Sequence, residues 1–193
     1  MADPKEMNVA RLMARCLENE GVVYVFGLPG EEIIPLVDAL DQSSIRFILV
    51  RSEQAGAFMA DLYGRVTGRA GVCLATLGPG AINLLLGVAD AQTDSAPLVA
   101  LSAQVGLGRI YKETHQVVDL VSMFKPVTKW SDTLLTPAAA PEMIRHAFNT
   151  AQSERPGAVY LAIPQDVAAM EAEPTLRPLS VHPPHVELSL IHI

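Results

Sequence analysis

Phe47-Ile48-Leu49-Val50-Arg51-Ser52-Glu53-Gln54-Ala55-Gly56-Ala57-Phe58-Met59-Ala60-Asp61-Leu62-Tyr63-Gly64-Arg65-Val66-Thr67-Gly68 decides how this chain folds. Four apolar residues give way to a polar corner and then to a run rich in small side chains. The apolar run has the length of a buried strand. Residues 52–66 read as a helix. Glu53 therefore falls in the first turn of a helix, just past the carboxyl end of a strand. Open α/β sheets bind their ligands at that end of their strands.

The same alternation runs outward in both directions. Val9, Leu12, Met13, Cys16 and Leu17 share a helical stripe, with Asn8 as N-cap and Gly21 as stop. Residues 22–27 read as a strand buried on both faces, and Leu28-Pro29-Gly30 as a turn. Glu31 and Glu32 open a helix to about residue 40, where negative charge suits the helix dipole. Downstream, strands are expected at 71–76, 98–103, 128–133 and 157–163, and helices at 81–93, 118–124 and 141–153. Residues 104–116 read as a looser stretch. Strands separated by helices imply parallel pairing, so the expected fold is α/β: a parallel sheet with helices on both faces.

Bulk properties set limits on function. The 193 residues are half apolar, enough for a sizeable core. A formal charge of −7, without a basic run, argues against a nucleic-acid or anionic-membrane surface. No apolar stretch is long enough to span a bilayer, and the first residues lack a signal-peptide pattern, so a cytoplasmic location is expected. Cys16 and Cys73 lie on apolar faces and outside any Cys-x-x-Cys pair, which fits buried thiols rather than a metal or redox site.

Several residues could carry chemistry. Glu53 could simply cap its helix or pair with Arg51. It could also exchange protons with a ligand in the crevice: burial favours its neutral form, and the helix N-terminus favours its charged form. Thr76-Leu77-Gly78-Pro79-Gly80-Ala81-Ile82-Asn83 is a second strand-end loop, whose glycines let backbone approach a flat ring. Phe26-Gly27-Leu28-Pro29-Gly30 is a third. It is not a dinucleotide fingerprint, and no Walker-type loop occurs. His115 and Gln116 sit in Lys112-Glu-Thr-His115-Gln116-Val-Val-Asp119. His146, His182, His185 and His192 belong to no recognisable site.

Taken together, these loops resemble the pyrimidine-binding domain of thiamine-diphosphate enzymes. The wording at 76–83, at 87–97, at 124–130 and at 155–167 is similar to the acetolactate synthase large subunit. The likeness covers the chain to about Met170. It implies that Glu53 hydrogen-bonds the aminopyrimidine ring of thiamine diphosphate and passes it a proton. It places Pro29, Gly30, Pro79 and Asn83 around that ring, and Gln116, with His115 as neighbour, at the reaction centre. It implies pyruvate and a second 2-oxo acid as substrates. His115-Gln116 is nearer the catabolic wording, which needs no flavin (FAD), whereas Val117 departs from the family pattern. Other thiamine-diphosphate reactions stay open: a 2-oxo-acid decarboxylase, a pyruvate oxidase or a sulfoacetaldehyde acetyltransferase. So do a stand-alone pyrimidine-domain subunit and a non-catalytic module of the same fold.

The family's Gly-Asp-Gly…Asn motif, which holds diphosphate and Mg²⁺, is not in this sequence. No metal ligand is therefore assigned here. The family builds its site between subunits, so a homo-oligomer with the site at the interface is expected. Residues 1–170 are expected to form the domain, and the proline-rich 171–187 a linker to a middle domain. Residues 188–193, Leu-Ser-Leu-Ile-His-Ile, spell the end of a common transposon-based sequencing adapter in one frame and are read as a non-native tail.

Overall fold

The computed structural model describes residues 7–181. His182, His185, His192, the distal part of the expected linker and the expected tail lie outside the described residues. Six strands form one sheet in the order β2-β1-β3-β4-β6-β5. They are β1 (Tyr24–Gly27), β2 (Arg46–Leu49), β3 (Gly71–Ala75), β4 (Leu98–Gln104), β5 (Trp130–Thr133) and β6 (Ala158–Pro164). Every pairing is parallel. The seven α-helices of the described residues are α1 (Val9–Asn19), α2 (Ile34–Asp41), α3 (Glu53–Thr67), α4 (Pro79–Thr93), α5 (Leu120–Phe124), α6 (Ala140–Gln152) and α7 (Gln165–Ala169). The fold is the expected α/β type.

Successive strand residues point to opposite faces, and two cores result. Val72, Leu74, Val99, Leu101, Leu161 and Ile163 pack with α1, α2, α6 and α7. Cys73, Ala75, Ala100, Tyr160 and Ala162 pack with α3, α4 and α5. The second layer is tight because small residues line it. A Cβ on Gly87 would stand 2.6 Å from Ala57 Cβ, and one on Gly71 only 1.9 Å from the Ala60 carbonyl oxygen. Tyr160 lies stacked on Phe124 at 3.8 Å between ring centroids, and its hydroxyl meets Ser102 Oγ at 2.7 Å. That bond gives the buried phenol the partner it needs.

Several boundaries differ from the sequence expectation. The run at 47–50 does not form a buried strand. β2 pairs only with β1, and Leu49 is 68% exposed. β1 begins at Tyr24, and its burial alternates, because Tyr24 and Phe26 join Tyr63 at the margin of the layer. Glu31 and Glu32 lie in a 3-10 turn, Glu31–Ile33, ahead of α2. Pro35 explains the break: a residue without an N–H starts a helix more readily than it continues one. For the same reason α4 starts at Pro79 rather than at residue 81. α7 follows β6 directly, a short helix that the sequence pattern does not predict.

Asn8 does cap α1, accepting from Arg11 N at 2.9 Å. Charged groups tie the helices together. Glu20 at the end of α1 pairs with Arg145 of α6, and the Glu20 side chain is 2% exposed. Arg65 on α3 contacts Asp61 on its own helix and Asp90 and Asp94 at α4. Past α7, Ala172 N donates to Met7 O, and Asn19 Nδ2 donates to Leu179 O, so residues 171–179 run back along α1.

Candidate functional site at the switch point of the sheet

The chain leaves β1 toward β2 on one side, while β3 lies on the other. The gap beyond the ends of β1 and β3 is thus a topological switch point, where open α/β sheets place ligand crevices. Three of the loops singled out in the sequence converge there. Leu28-Pro29-Gly30 follows β1, Thr76-Leu77-Gly78 follows β3, and α3 begins with Glu53. Two backbone bonds hold these ends in register: Leu28 N donates to Leu74 O at 3.2 Å, and Val50 N to Gly27 O at 3.0 Å. The first turn of α3 lies against β1, since a Cβ on Gly56 would stand 3.2 Å from Phe26 O.

Glu53 is half-buried. Its carboxylate reaches across to another helix rather than to Arg51 or to the N-terminus of its own helix. Asn83 Nδ2 donates to Glu53 Oε2 at 3.0 Å, joining the first turn of α3 to the second turn of α4. The other oxygen, Oε1, lies where residue 80 has no side chain; a Cβ there would stand 3.3 Å away. Pro29, Pro79 and Asn83 are exposed around it, and Gly30 is half-buried. The crevice is therefore open, with the Asn83-oriented carboxylate of Glu53 and glycine backbone on its wall.

Gln116 also arrives at this edge. It takes a left-handed φ of 58°. A Cβ on Gly78 would meet the Gln116 carbonyl oxygen at 2.5 Å, so only glycine allows the two loops to touch. Gly78 itself has φ 54°. His115 is exposed beside Gln116. A cavity of about 370 Å³ lies beyond this loop, lined by Gln104, Tyr111, Lys112, Val117 and Thr133. Glu53, Pro79 and Asn83 do not line it.

The sequence does not reveal that Thr76 and Glu32 meet. Thr76 Oγ1 donates to Glu32 Oε2 at 2.9 Å, between the same two loops. The only signal was a paired acid directly after Pro29-Gly30, which reads equally well as helix-dipole complementation. Among the described residues no cluster of His, Cys, Asp and Glu could hold a metal ion. No described helix is long and apolar enough to cross a membrane.

Fold and crevice together define a class: an open parallel α/β domain with an acid poised at its switch point. Residues 7–123 match the family described as thiamine pyrophosphate enzyme, N-terminal TPP binding domain, and the chain belongs to that family. Among curated proteins it is similar to a probable acetolactate synthase large subunit of Methanococcus aeolicus, 42% identical over 90% of this chain and 29% of the relative. A catabolic acetolactate synthase of Raoultella terrigena is 42% identical over 90% of this chain and 31% of the relative. An acetolactate synthase of Bacillus subtilis is 42% identical over 82% of this chain and 28% of the relative. The chain thus spans under a third of the length of these relatives.

Proposed function

We propose that the chain is the pyrimidine-side half of a thiamine-diphosphate site in an acetolactate-synthase-like enzyme. The whole protein decarboxylates pyruvate and transfers the two-carbon unit to a second 2-oxo acid. The observation that carries this reading is Glu53, half-buried at the switch point and oriented by Asn83. Its free face fits a flat heteroaromatic ring bearing a basic nitrogen, because glycine backbone borders it and a carboxyl group there can hold or release a proton.

Thiamine diphosphate, when bound, supplies the electron sink that decarboxylation of a 2-oxo acid requires. This chain's residues orient that group. Glu53 exchanges the proton with its ring. Asn83 fixes the Glu53 carboxylate, so that the proton is held at one oxygen. Pro29, Gly30 and Pro79 shape the walls, and Gln116 with His115 lines the side where substrate reacts. Diphosphate and Mg²⁺ fall to a domain outside residues 1–170, since the sequence carries no Gly-Asp-Gly. Residues 171–187 serve as the linker to a middle domain, and 188–193 are not native. The protein works in the cytoplasm.

The surface beside the crevice supports a shared site. Phe58, Met59, Leu62 and Val66 on α3 and Leu86 on α4 are exposed, Val66 by 77%. Exposed apolar side chains grouped on two adjacent helices fit a docking face. Its occupant is the diphosphate-binding domain of another subunit, so the site is complete only in the oligomer.

The test is calorimetry with thiamine diphosphate and Mg²⁺, followed by an acetolactate assay on pyruvate. The full-length protein is expected to bind the cofactor and make acetolactate, and the isolated chain to bind weakly or not at all. Tight, Mg²⁺-dependent binding to the isolated chain would refute the half-site. A full-length protein that binds the cofactor but makes no acetolactate would point to another reaction of the family.

A further inference from the structure

The crevice contains a second carboxylate, and it does not touch Glu53. Glu32 is half-buried in the 3-10 turn after Gly30. Its Oε2 accepts from Thr76 Oγ1 at 2.9 Å. Thr76 is the first residue beyond β3, so this bond ties the loop after β1 to the loop after β3 across the switch point.

Thr76 is wedged between glycines of both loops. A Cβ on Gly30 would stand 2.4 Å from Thr76 Cβ, and one on Gly80 would stand 2.7 Å from Thr76 Cγ2. The same Cβ on Gly80 would stand 3.3 Å from Glu53 Oε1. One face of Gly80 thus meets the Thr76 methyl, and the Glu53 carboxylate lies close by. A β-branched side chain occupies one of a few staggered χ1 wells. In the observed one, hydroxyl faces Glu32 and methyl faces Gly80. Any other well turns a different group against Gly80.

We infer that Glu32 is a positioning residue for the Glu53 site. It selects the Thr76 rotamer and, through the Thr76–Gly80 contact, sets the backbone beside the Glu53 carboxylate. A hydrogen bond to an ionised acceptor is stronger than a neutral one, which suits a brace between two loops. The inference rests on the reading of Glu53 as the proton partner of the cofactor ring.

The test is a double-mutant cycle in the full-length protein, read as the dissociation constant of thiamine diphosphate in excess Mg²⁺. Glu32→Ala and Thr76→Val are each expected to weaken binding roughly tenfold, the loss expected for one charge-assisted hydrogen bond. The double variant is expected to be no worse than either single one, because both remove the same bond. Glu32→Gln retains an accepting oxygen and restores most of the affinity. Unchanged affinity in the two single variants, or losses that simply add in the double variant, overturns the brace. So does a loss that follows the unfolding midpoint and is not restored by Glu32→Gln. Glu53→Gln, measured alongside, separates the two readings. If it leaves affinity and cofactor proton exchange untouched, the assignment of the pocket fails. If it disturbs them while Glu32→Ala does not, only the brace fails.

Discussion

Asn83 donates its side-chain amide to Glu53 Oε2 at 3.0 Å, across thirty residues of sequence and between two helices that start at different strands. This contact turns a helix-terminal acid into an oriented group. Glu53→Gln in the full-length protein is therefore expected to slow proton exchange on bound thiamine diphosphate on the order of a hundredfold or more. Asn83→Ala frees the carboxylate without removing it and is expected to have a smaller effect in the same direction. Exchange rates by NMR after a deuterium jump decide both, and an unchanged rate in Glu53→Gln removes the role assigned to it.

The Glu20–Arg145 pair makes stability depend on pH. Burial pushes the Glu20 carboxyl above its ordinary value of 4.5, against the opposing pull of Arg145. The folded state thus holds the Glu20 proton more tightly than the unfolded chain does. The corresponding stability is complete below pH 4.5 and is lost as pH rises through the raised value. Arg145→Ala leaves a buried carboxylate unpaired and is expected to cost about 3 kcal/mol at neutral pH, and less in acid. Adding Glu20→Gln to it is expected to recover part of that loss. Urea unfolding between pH 4 and 8 measures this, and a deficit in Arg145→Ala that does not vary with pH contradicts it.

Both thiols are predicted to be inert in the folded protein. Cys16 and Cys73 are buried, and burial pushes each up to about 12, with Glu20 adding to the effect at Cys16. A thiol needs its thiolate to react. A disulfide reagent at pH 8 is expected to label neither in native protein and both in urea. Fast labelling of either thiol without denaturant counts against the packing around it.

Gly71 marks the closest approach of α3 to the sheet. A methyl group there would stand 1.9 Å from the Ala60 carbonyl oxygen. Gly71→Ala is expected to cost about 3 kcal/mol, at the upper end for overpacking. Gly108 has nothing within 4 Å of the same methyl, and Gly108→Ala is expected to stay within about 0.5 kcal/mol of the parent. Equal unfolding midpoints for the two variants would contradict the contact.

Much of the fold was legible because its central strands are buried on both faces. Residues 72–75 are a continuous apolar run, and residues 98–103 are interrupted only by Ser102, for that reason. Edge strands obey a weaker rule. Phe47–Leu49 reads like a core strand, yet it borders the sheet with Leu49 outward. The α1 cap was legible because Asn8 acts on a residue three positions away. Glu53, Pro79 and Asn83 could be named from local wording. Their convergence was implied by the family resemblance alone, because it depends on strand order, and parallel crossovers leave no turn motif that records the order. The Glu32–Thr76 bond was hidden in the same way. Arg145 and Glu20 lie 125 positions apart on amphipathic helices, where either reads as ordinary solvated charge.

The glycine-to-alanine contact between Gly87 and Ala57 has a mechanical consequence. Two helices whose main chains nearly touch have no slack for sliding or tilting independently. The pair must travel as a single rigid lever when the sheet flexes. The acid at one tip and the amide at the other then keep their separation, and external forces are felt as displacement of the whole couple rather than as loosening within it.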